Sequence, residues 1–304
     1  MRLRALLLAP IASSLLLFPL LTCPPRAHAQ AEAVSPEERA AFHRDPQWLV
    51  IAPHLPDPKT ASAAQLEMAA DVLRARRFPE DALDYYGYSI ARGGPVSELL
   101  NKMGIVRLEL HQTALAHELF QQTVRAKKKD ASGWNNLGVT EYVDKRYNNA
   151  ISDYRRAAKL DRRSAAFRSN LGMAYFENGD VESARKEFAA ALVIDPHAFE
   201  RRDSGGMTAQ VVGTQNYSQL AFEMAKIYAR RHDDAETLLW LAKATEAGFD
   251  TRHEMVQDVA LRPYARDPRV LMMLKNAQQM KMRSVATTAP AKSLGPAGEE
   301  RHID

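Results

Sequence analysis

Along the middle of the chain, apolar residues are spaced as on one side of an α-helix. Among them, small and aromatic residues recur every 34 positions. Taking Ala131 and Ala165 as the first positions of two units aligns five pairs in register: Leu137 with Leu171, Gly138 with Gly172, Ala150 with Ala184, Tyr154 with Phe188, and Ala157 with Ala191. A fixed period of this length indicates a solenoid of stacked helical units. The pattern therefore predicts two units, at 131–164 and 165–198.

The same step continues towards the N-terminus. From Ala150, Tyr154 and Gly138 it reaches residues of the same kinds: Ala116 and Ala82, Phe120 and Tyr86, and Gly104 and Ala70. These columns predict two further units, at 63–96 and 97–130.

Towards the C-terminus the register is interrupted by the segment 199–217, which is rich in glycine and has no helical period. We interpret this segment as a flexible insertion. A fifth unit is predicted at 218–251, where Asp233 has the position of a helix N-cap and Gly248 that of a helix end. Thr237 stands where the other units have alanine, so its two helices are expected to pack less closely.

The units resemble the tetratricopeptide repeat family. The residues that carry the resemblance are Trp134 at position 4, Leu-Gly at positions 7 and 8, Tyr175 at position 11, alanine at 20 and 27, an aromatic residue at 24, and Pro196 at 32. This resemblance implies an all-α fold, a right-handed superhelix of about five helical hairpins with capping helices. Because small residues let helices approach closely, we expect Gly138 to face Ala150 and Gly172 to face Ala184.

The regions beside the units are predicted to cap the solenoid. Residues 30–62 form an N-terminal arm, in which Ser35 to Glu38 have capping-box spacing and begin a short helix. Four prolines predict that 45–59 is extended, with Trp48 packed over the first unit; the alternative is that this stretch lies in the solenoid's own groove. Residues 252–283 are predicted as capping helices and 284–304 as a disordered tail.

Residues 1–29 have the layout of a secretory signal peptide. Arg2 and Arg4 precede an apolar run, and Ala27-His28-Ala29 provides a cleavage site before Gln30. We therefore expect a secreted or periplasmic protein. The alternatives are an uncleaved membrane anchor and a lipid anchor on Cys23.

Charge and cysteine content narrow the function. The formal net charge is +4, and loss of the three arginines of residues 1–29 lowers it to +1, which argues against nucleic acid as the partner. Cys23 is the only cysteine, so a cleaved chain has no disulfide, thiolate metal site or cysteine nucleophile. His253-Glu254 begins a zinc-protease motif but lacks the second histidine. No cofactor or metal is expected.

The resemblance also implies which side chains line the concave groove. They come from positions 5, 9 and 12 of three units: Asn101, Ile105, Leu108, Asn135, Val139, Tyr142, Ser169, Met173 and Phe176. An apolar floor beside a row of polar groups suits an extended peptide or a helix. The alternative is that these residues pack inside the core. Positions 5 and 9 lack the lysine and asparagine with which one subgroup of the family grips a C-terminal carboxylate.

These observations favour a non-enzymatic scaffold that binds a protein or peptide partner in a cell-envelope complex. One rival is an envelope enzyme, or a subunit that activates one, using the insertion and its charged residues Glu200, Arg201, Arg202 and Asp203. Another is a small-molecule or glycan binder, which would require a closed pocket rather than an open groove.

Overall fold

The computed structural model describes residues 34–199 and 216–288. In these ranges the ordered elements are α-helices and two short 3-10 turns, so the predicted all-α fold is confirmed. The helices are α1 Pro36–Phe42, α2 Pro46–Ile51, α3 Ala63–Ala75, α4 Pro79–Ala91, α5 Val96–Glu109, α6 Thr113–Ala126, α7 Ala131–Val143, α8 Tyr147–Leu160, α9 Ala165–Glu177, α10 Val181–Ile194, α11 Tyr217–Arg230, α12 Asp234–Glu246, α13 Thr251–Gln257 and α14 Pro268–Thr288.

Ten of these helices pair in sequence as five hairpins, from α3–α4 to α11–α12. Within each hairpin the second helix begins two residues after a residue with positive φ, which reverses the chain. These residues are Arg77, His111, Lys145, Gly179 and His232. The first four are 34 positions apart, so the repeat extends to the backbone conformation of the turns.

A glycine–aromatic contact closes the middle hairpins. A Cβ atom built on Gly138 would lie 2.8 Å from the Tyr154 ring, and one on Gly172 would lie 2.5 Å from the Phe188 ring. The nearest atoms to each Cβ position belong to the aromatic ring of the second helix, so the missing side chain makes room for that ring. That the same glycines also face Ala150 and Ala184 stays a prediction.

Neighbouring hairpins stack through the second helix of one and the first helix of the next. At each junction, the residue at position 21 of one unit pairs with a residue of similar chemistry on the first helix of the next hairpin. Two pairs are apolar and share a buried cluster: Leu83 with Val106, and Ile151 with Ala174. Two pairs are polar and hydrogen-bonded: His117 with Thr140, and Arg185 with Glu223.

The fifth hairpin keeps this architecture despite the residue change at its closest approach. Thr237 is fully buried, and its hydroxyl donates to the carbonyl of Asp233 at 2.6 Å, one turn earlier in the same helix. The hydroxyl is thus satisfied locally, and the side chain fits the seam. The Asp233 side chain caps α12 by accepting from the Glu236 amide at 3.1 Å.

The N-terminal arm differs from the prediction in part. Ser35 and Glu38 form the expected capping box of α1. The expectation of an extended stretch over 45–59 is wrong, because residues 46–54 form α2 and a 3-10 turn. Pro46 occupies the first turn of α2, where the missing N–H has no partner in any case, and Asp45 caps the helix.

The arm lies against the first hairpin. The Trp48 ring meets Phe78 edge-on, with 5.1 Å between ring centroids. Arg39 donates to Asp81 on α4, and His43 is 3.1 Å from the same carboxylate. Ile51 and Leu55 also pack against the buried cluster around Phe78, so apolar contacts and a cluster of charged groups both hold the arm.

At the C-terminal end, α13 and α14 follow the fifth hairpin. The expectation that the tail begins at 284 is wrong for its first residues, because α14 continues to Thr288. The first proline after this helix begins is Pro290, and the intervening residues tolerate helix. Among the described residues, we find no helix that combines the length and apolar character needed to cross a bilayer. The predicted signal peptide and most of the insertion lie outside the described residues.

Candidate functional site

The first helices of the second, third and fourth hairpins carry the nine predicted groove residues. On α5 all three, Asn101, Ile105 and Leu108, are half-buried and reach the surface. On α7 only Tyr142 remains partly accessible. The groove therefore closes along the chain, from α5 towards α9.

The remaining five residues are buried, so their prediction as groove lining is wrong. They are Asn135, Val139, Ser169, Met173 and Phe176. Val139 belongs to the cluster between the third and fourth hairpins, while Met173 and Phe176 join the large cluster built around α11. Packing of successive hairpins covers these positions, which is the alternative that helical spacing alone left open.

The polar column is also used inside the fold. Four asparagine amides form a ladder across three hairpins, with Asn170 Nδ2 donating to Asn135 Oδ1 at 2.8 Å, Asn135 Nδ2 to Asn136 Oδ1 at 3.1 Å, and Asn136 Nδ2 to Asn101 Oδ1 at 3.0 Å. Ser169 donates to the carbonyl of Ala165 at 3.0 Å. Buried amides paired in this way fix the register of the stack and do not face a ligand.

An apolar surface remains, which we call the open strip: Ile105, Leu108, Tyr142 and Val143. Leu108 and Tyr142 pack beside the same buried cluster, and Ile105 and Leu108 beside the preceding one, so the strip crosses from the second to the third hairpin. Val143 is 53% exposed at the end of α7. Because one part of each side chain is held by packing and the other part is accessible, these residues can serve as anchors for a bound partner.

A carboxylate borders the strip. Glu177, at the end of α9, interacts electrostatically with Tyr142 and Tyr147, whose rings are 5.6 Å apart. Its Oε1 atom is buried and has no hydrogen-bond partner among the described residues. Burial raises the pKa of Glu177, and Lys145 opposes this rise. An acceptor left unsatisfied in this way costs stability unless something else donates to it.

A second cluster of titratable groups lies between α6, α7 and α8. Glu141 is buried, accepts from Arg146 and from Asn149 at 3.3 Å, and has His117 3.7 Å away. Burial raises the pKa of Asp153 to about 7, with repulsion from Glu141 adding to the shift and Arg156 opposing it. Perturbed carboxylates occur at functional sites and also in structural networks.

The sequence analysis missed Glu141, Asp153 and Glu177. One of them carried a usable signal, because Glu141 occupies position 11, where the next unit has Tyr175. The two following units have tyrosine at this position, Tyr175 and Tyr228, so a carboxylate here departs from their pattern and marks a local polar network. The other two stand at positions where a charged residue on a solvated face is ordinary.

The described ranges were also compared with the metal and enzymatic alternatives. No group of three or more histidine, cysteine, aspartate or glutamate side chains there could hold a metal ion. The charged residues 200–203, on which an enzymatic function was to rest, lie outside the described part of the chain.

The stacked hairpins define an α-helical repeat protein. Comparison with models of known families indicates which kind of repeat it contains. The tetratricopeptide repeat family model matches residues 101–165 and 145–199, which supports this family for the second to fourth hairpins. No curated protein matches the chain significantly.

Several solved structures are similar at low identity. One is MamA, with 18% identity, a TM-score of 0.42, and a match covering 58% of this chain and 92% of that one. A second is YrrB, described as "a TPR protein with an unusual peptide-binding site", with 18% identity, a TM-score of 0.43, and 67% and 92% covered. A third is pilF of Pseudomonas aeruginosa, with 14% identity, a TM-score of 0.48, and 75% and 93% covered.

Proposed function

We propose that this protein is a non-enzymatic interaction scaffold that holds a segment of a partner protein on the open strip. The supporting observation is the strip itself, where partly exposed apolar side chains of two hairpins meet beside the unsatisfied carboxylate oxygen of Glu177. A helical repeat fold supplies extended binding surfaces of this kind.

The chemistry of the strip specifies the partner segment. Ile105, Leu108 and Tyr142 offer contacts to aliphatic or aromatic side chains, while Glu177 offers a charged acceptor. A lysine or arginine of the partner would donate to Glu177 and offset the burial that raises the pKa of this carboxyl. We therefore propose a segment in which a basic residue stands near one or two apolar residues.

The test begins by replacing Val143 with a photo-crosslinking amino acid in the native host, since its exposure tolerates the change. The segment captured is then synthesised and titrated against the purified protein. Glu177→Gln keeps the shape but removes the charge, and we expect at least tenfold weaker binding, because a charged hydrogen bond contributes about 1.5–3 kcal/mol. Val193→Asp, at an exposed position on α10, is the matched control and should bind normally.

Unchanged binding by Glu177→Gln, or a captured segment without a basic residue, would contradict the proposed chemistry. Phe176 is unsuitable for such a test although it was a predicted groove residue. It is 4% exposed, so its truncation would lower stability rather than report on binding.

We further propose that the scaffold works in the cell envelope after export. The support is the signal-peptide layout of residues 1–29. Mass spectrometry of the mature protein should give Gln30 as the first residue. A retained residue 1 would indicate an uncleaved anchor, and an acylated Cys23 would indicate a lipoprotein.

A further inference from the structure

The first helix of the first hairpin exposes apolar residues on one side. Gln65, Met68, Ala69 and Val72 of α3 form this leading face. Met68 is 67% exposed and Val72 43% exposed, in the interior of a 13-residue helix. Isolated exposed apolar residues are common on protein surfaces, but these two lie one turn apart on the same side.

The repeat shows what this face is built for. In later hairpins, the residues in register with Met68 and Val72 face the preceding hairpin. All but Lys102 are buried, and Lys102 is half-buried: Lys102 and Val106, Asn136 and Thr140, Asn170 and Ala174, and Glu223 and Ile227. The residues in register with Val72 lie against the second helix of the preceding hairpin, as His117 does against Thr140. In the register of Met68, Lys102, Asn136 and Asn170 donate to the first helix of that hairpin. The leading face is thus the continuation of an interface that the chain forms four times.

The junctions also show which chemistry suits each residue. Two of the residues equivalent to Val72 are aliphatic, Val106 and Ala174. Each shares a buried cluster with an aliphatic residue of the preceding hairpin's second helix, Leu83 for Val106 and Ile151 for Ala174. Where the equivalent residue carries a hydroxyl, in Thr140, the covering residue is His117. By this rule Val72 requires an aliphatic partner. Met68, one turn away on the same side of α3, extends that apolar contact.

The N-terminal arm covers only part of the leading face. Trp48 and Ile51 turn towards the buried cluster around Phe78, and between the arm and α3 an open cleft of about 450 Å³ remains. Its lining is aliphatic apart from two polar residues: Val50, Ile51, His54, Leu55, Pro56, Gln65, Met68, Ala69 and Val72. The lining contains no acidic or lysine side chain, so a charged partner surface would lose hydration there without compensation.

We propose that the leading face binds an α-helix of a different protein, seated where the second helix of a preceding hairpin would lie. The covering helices of this chain have 13 or 14 residues, so a helix of three to four turns matches the face. The bound helix presents aliphatic residues at i, i+3 or i+4, and i+7, with charges restricted to its outer side. This site is separate from the open strip and does not depend on it.

The test uses the full-length protein in its native host with a photo-crosslinking amino acid at Met68. The captured peptide is sequenced, synthesised and titrated by fluorescence anisotropy against purified wild-type and variant protein. We expect a segment with the aliphatic spacing given above, which becomes helical on binding and binds Val72→Asp at least tenfold more weakly. Leu239→Asp, at an exposed apolar position of α12, and Glu177→Gln, beside the open strip, should bind it normally.

Circular dichroism of Val72→Asp must show wild-type helicity; if it does not, Val72→Ser takes its place in the titration. Four results would overturn the proposal. They are absence of a crosslink at Met68, a crosslink to the same chain or to a second copy of it, a captured segment without the aliphatic spacing, and unchanged affinity of the Val72 variant. Loss of binding by Glu177→Gln alone would also overturn it, because the segment would then lie on the open strip.

Discussion

The first and fourth hairpins carry the same kind of residue at the same position and bury it differently. Ala174 on α9 is fully buried under the third hairpin, whereas Val72, in register with it on α3, is 43% exposed. Nothing within either hairpin causes this difference. A repeat cannot bury its own apolar side, so the burial of each position is decided by its neighbour.

The largest effect is expected from placing one charge at both positions. Ala174→Asp buries a carboxylate against Ile151 and Tyr154 without a partner, and should lower the free energy of unfolding by about 4 kcal/mol or prevent folding. Val72→Asp should change it by less than about 0.5 kcal/mol. Urea unfolding followed by circular dichroism measures both, and similar losses would show that the leading face is structural.

A second comparison sets a buried glycine against a partly buried one that has free space around it. Gly138→Ala places a methyl group 2.8 Å from the Tyr154 ring, so we expect a loss of about 1–3 kcal/mol through overpacking. Gly87 lies in α4 with no atom within 4 Å of its Cβ position, so Gly87→Ala should stabilise by about 0.5–1 kcal/mol through helix propensity.

The two alanine variants differ only in surroundings, and thermal unfolding of both gives the contrast. The first hairpin shows that the position can adapt, since Ala70 and Tyr86 occupy the same two columns and both are fully buried. If Gly138→Ala loses almost no stability, the third hairpin adjusts to the added methyl group as the first hairpin accommodates Ala70.

The repeat could be predicted from the sequence because its determinants recur within each unit. Small and aromatic residues at fixed positions specify the hairpin, and these residues are visible at intervals of 34. The site could not be predicted equally well. Whether Ile105 is accessible and Met173 is not depends on what covers each, and that depends on hairpins elsewhere in the chain.

The arm shows a different limit of sequence reading. Proline favours extended backbone when it interrupts a segment and favours helix when it occupies the first turn. Pro46 does the latter because Asp45 precedes it as a cap. Composition alone does not separate the two cases, whereas the local order of residues does.

A smaller effect tests the cluster of titratable groups around Glu141. Asp153 has a pKa of about 7 in the folded protein, against about 3.9 for an unfolded aspartate. Between these values the folded state retains a proton that the unfolded chain has lost. The free energy of unfolding therefore falls as pH rises from about 4 to 7, and the group adds no further change above that.

Asp153→Asn removes the carboxyl group that causes this pH-dependent loss of stability. The variant should be more stable than wild type by about 1–2 kcal/mol at pH 8, a value that allows for the partial exposure of the side chain, and the difference should shrink towards pH 4. Urea unfolding at several pH values measures it. A constant difference would show that the carboxyl is not protonated in the folded state.

The smallest effect concerns the turns within the hairpins. They share a residue with positive φ at the same position, but the type of that residue differs. Gly179 and His111 have φ values of 84° and 59° at equivalent positions. A residue with a Cβ atom is strained in this region, and glycine is not. Gly179→Ala should lose about 1 kcal/mol, while His111→Gly should gain about 0.5 kcal/mol, because the greater freedom of the unfolded glycine offsets part of the strain released. Differential scanning calorimetry can resolve opposite signs. Losses in both would mean that the His111 side chain stabilises the second hairpin by contacts that outweigh the strain of its turn.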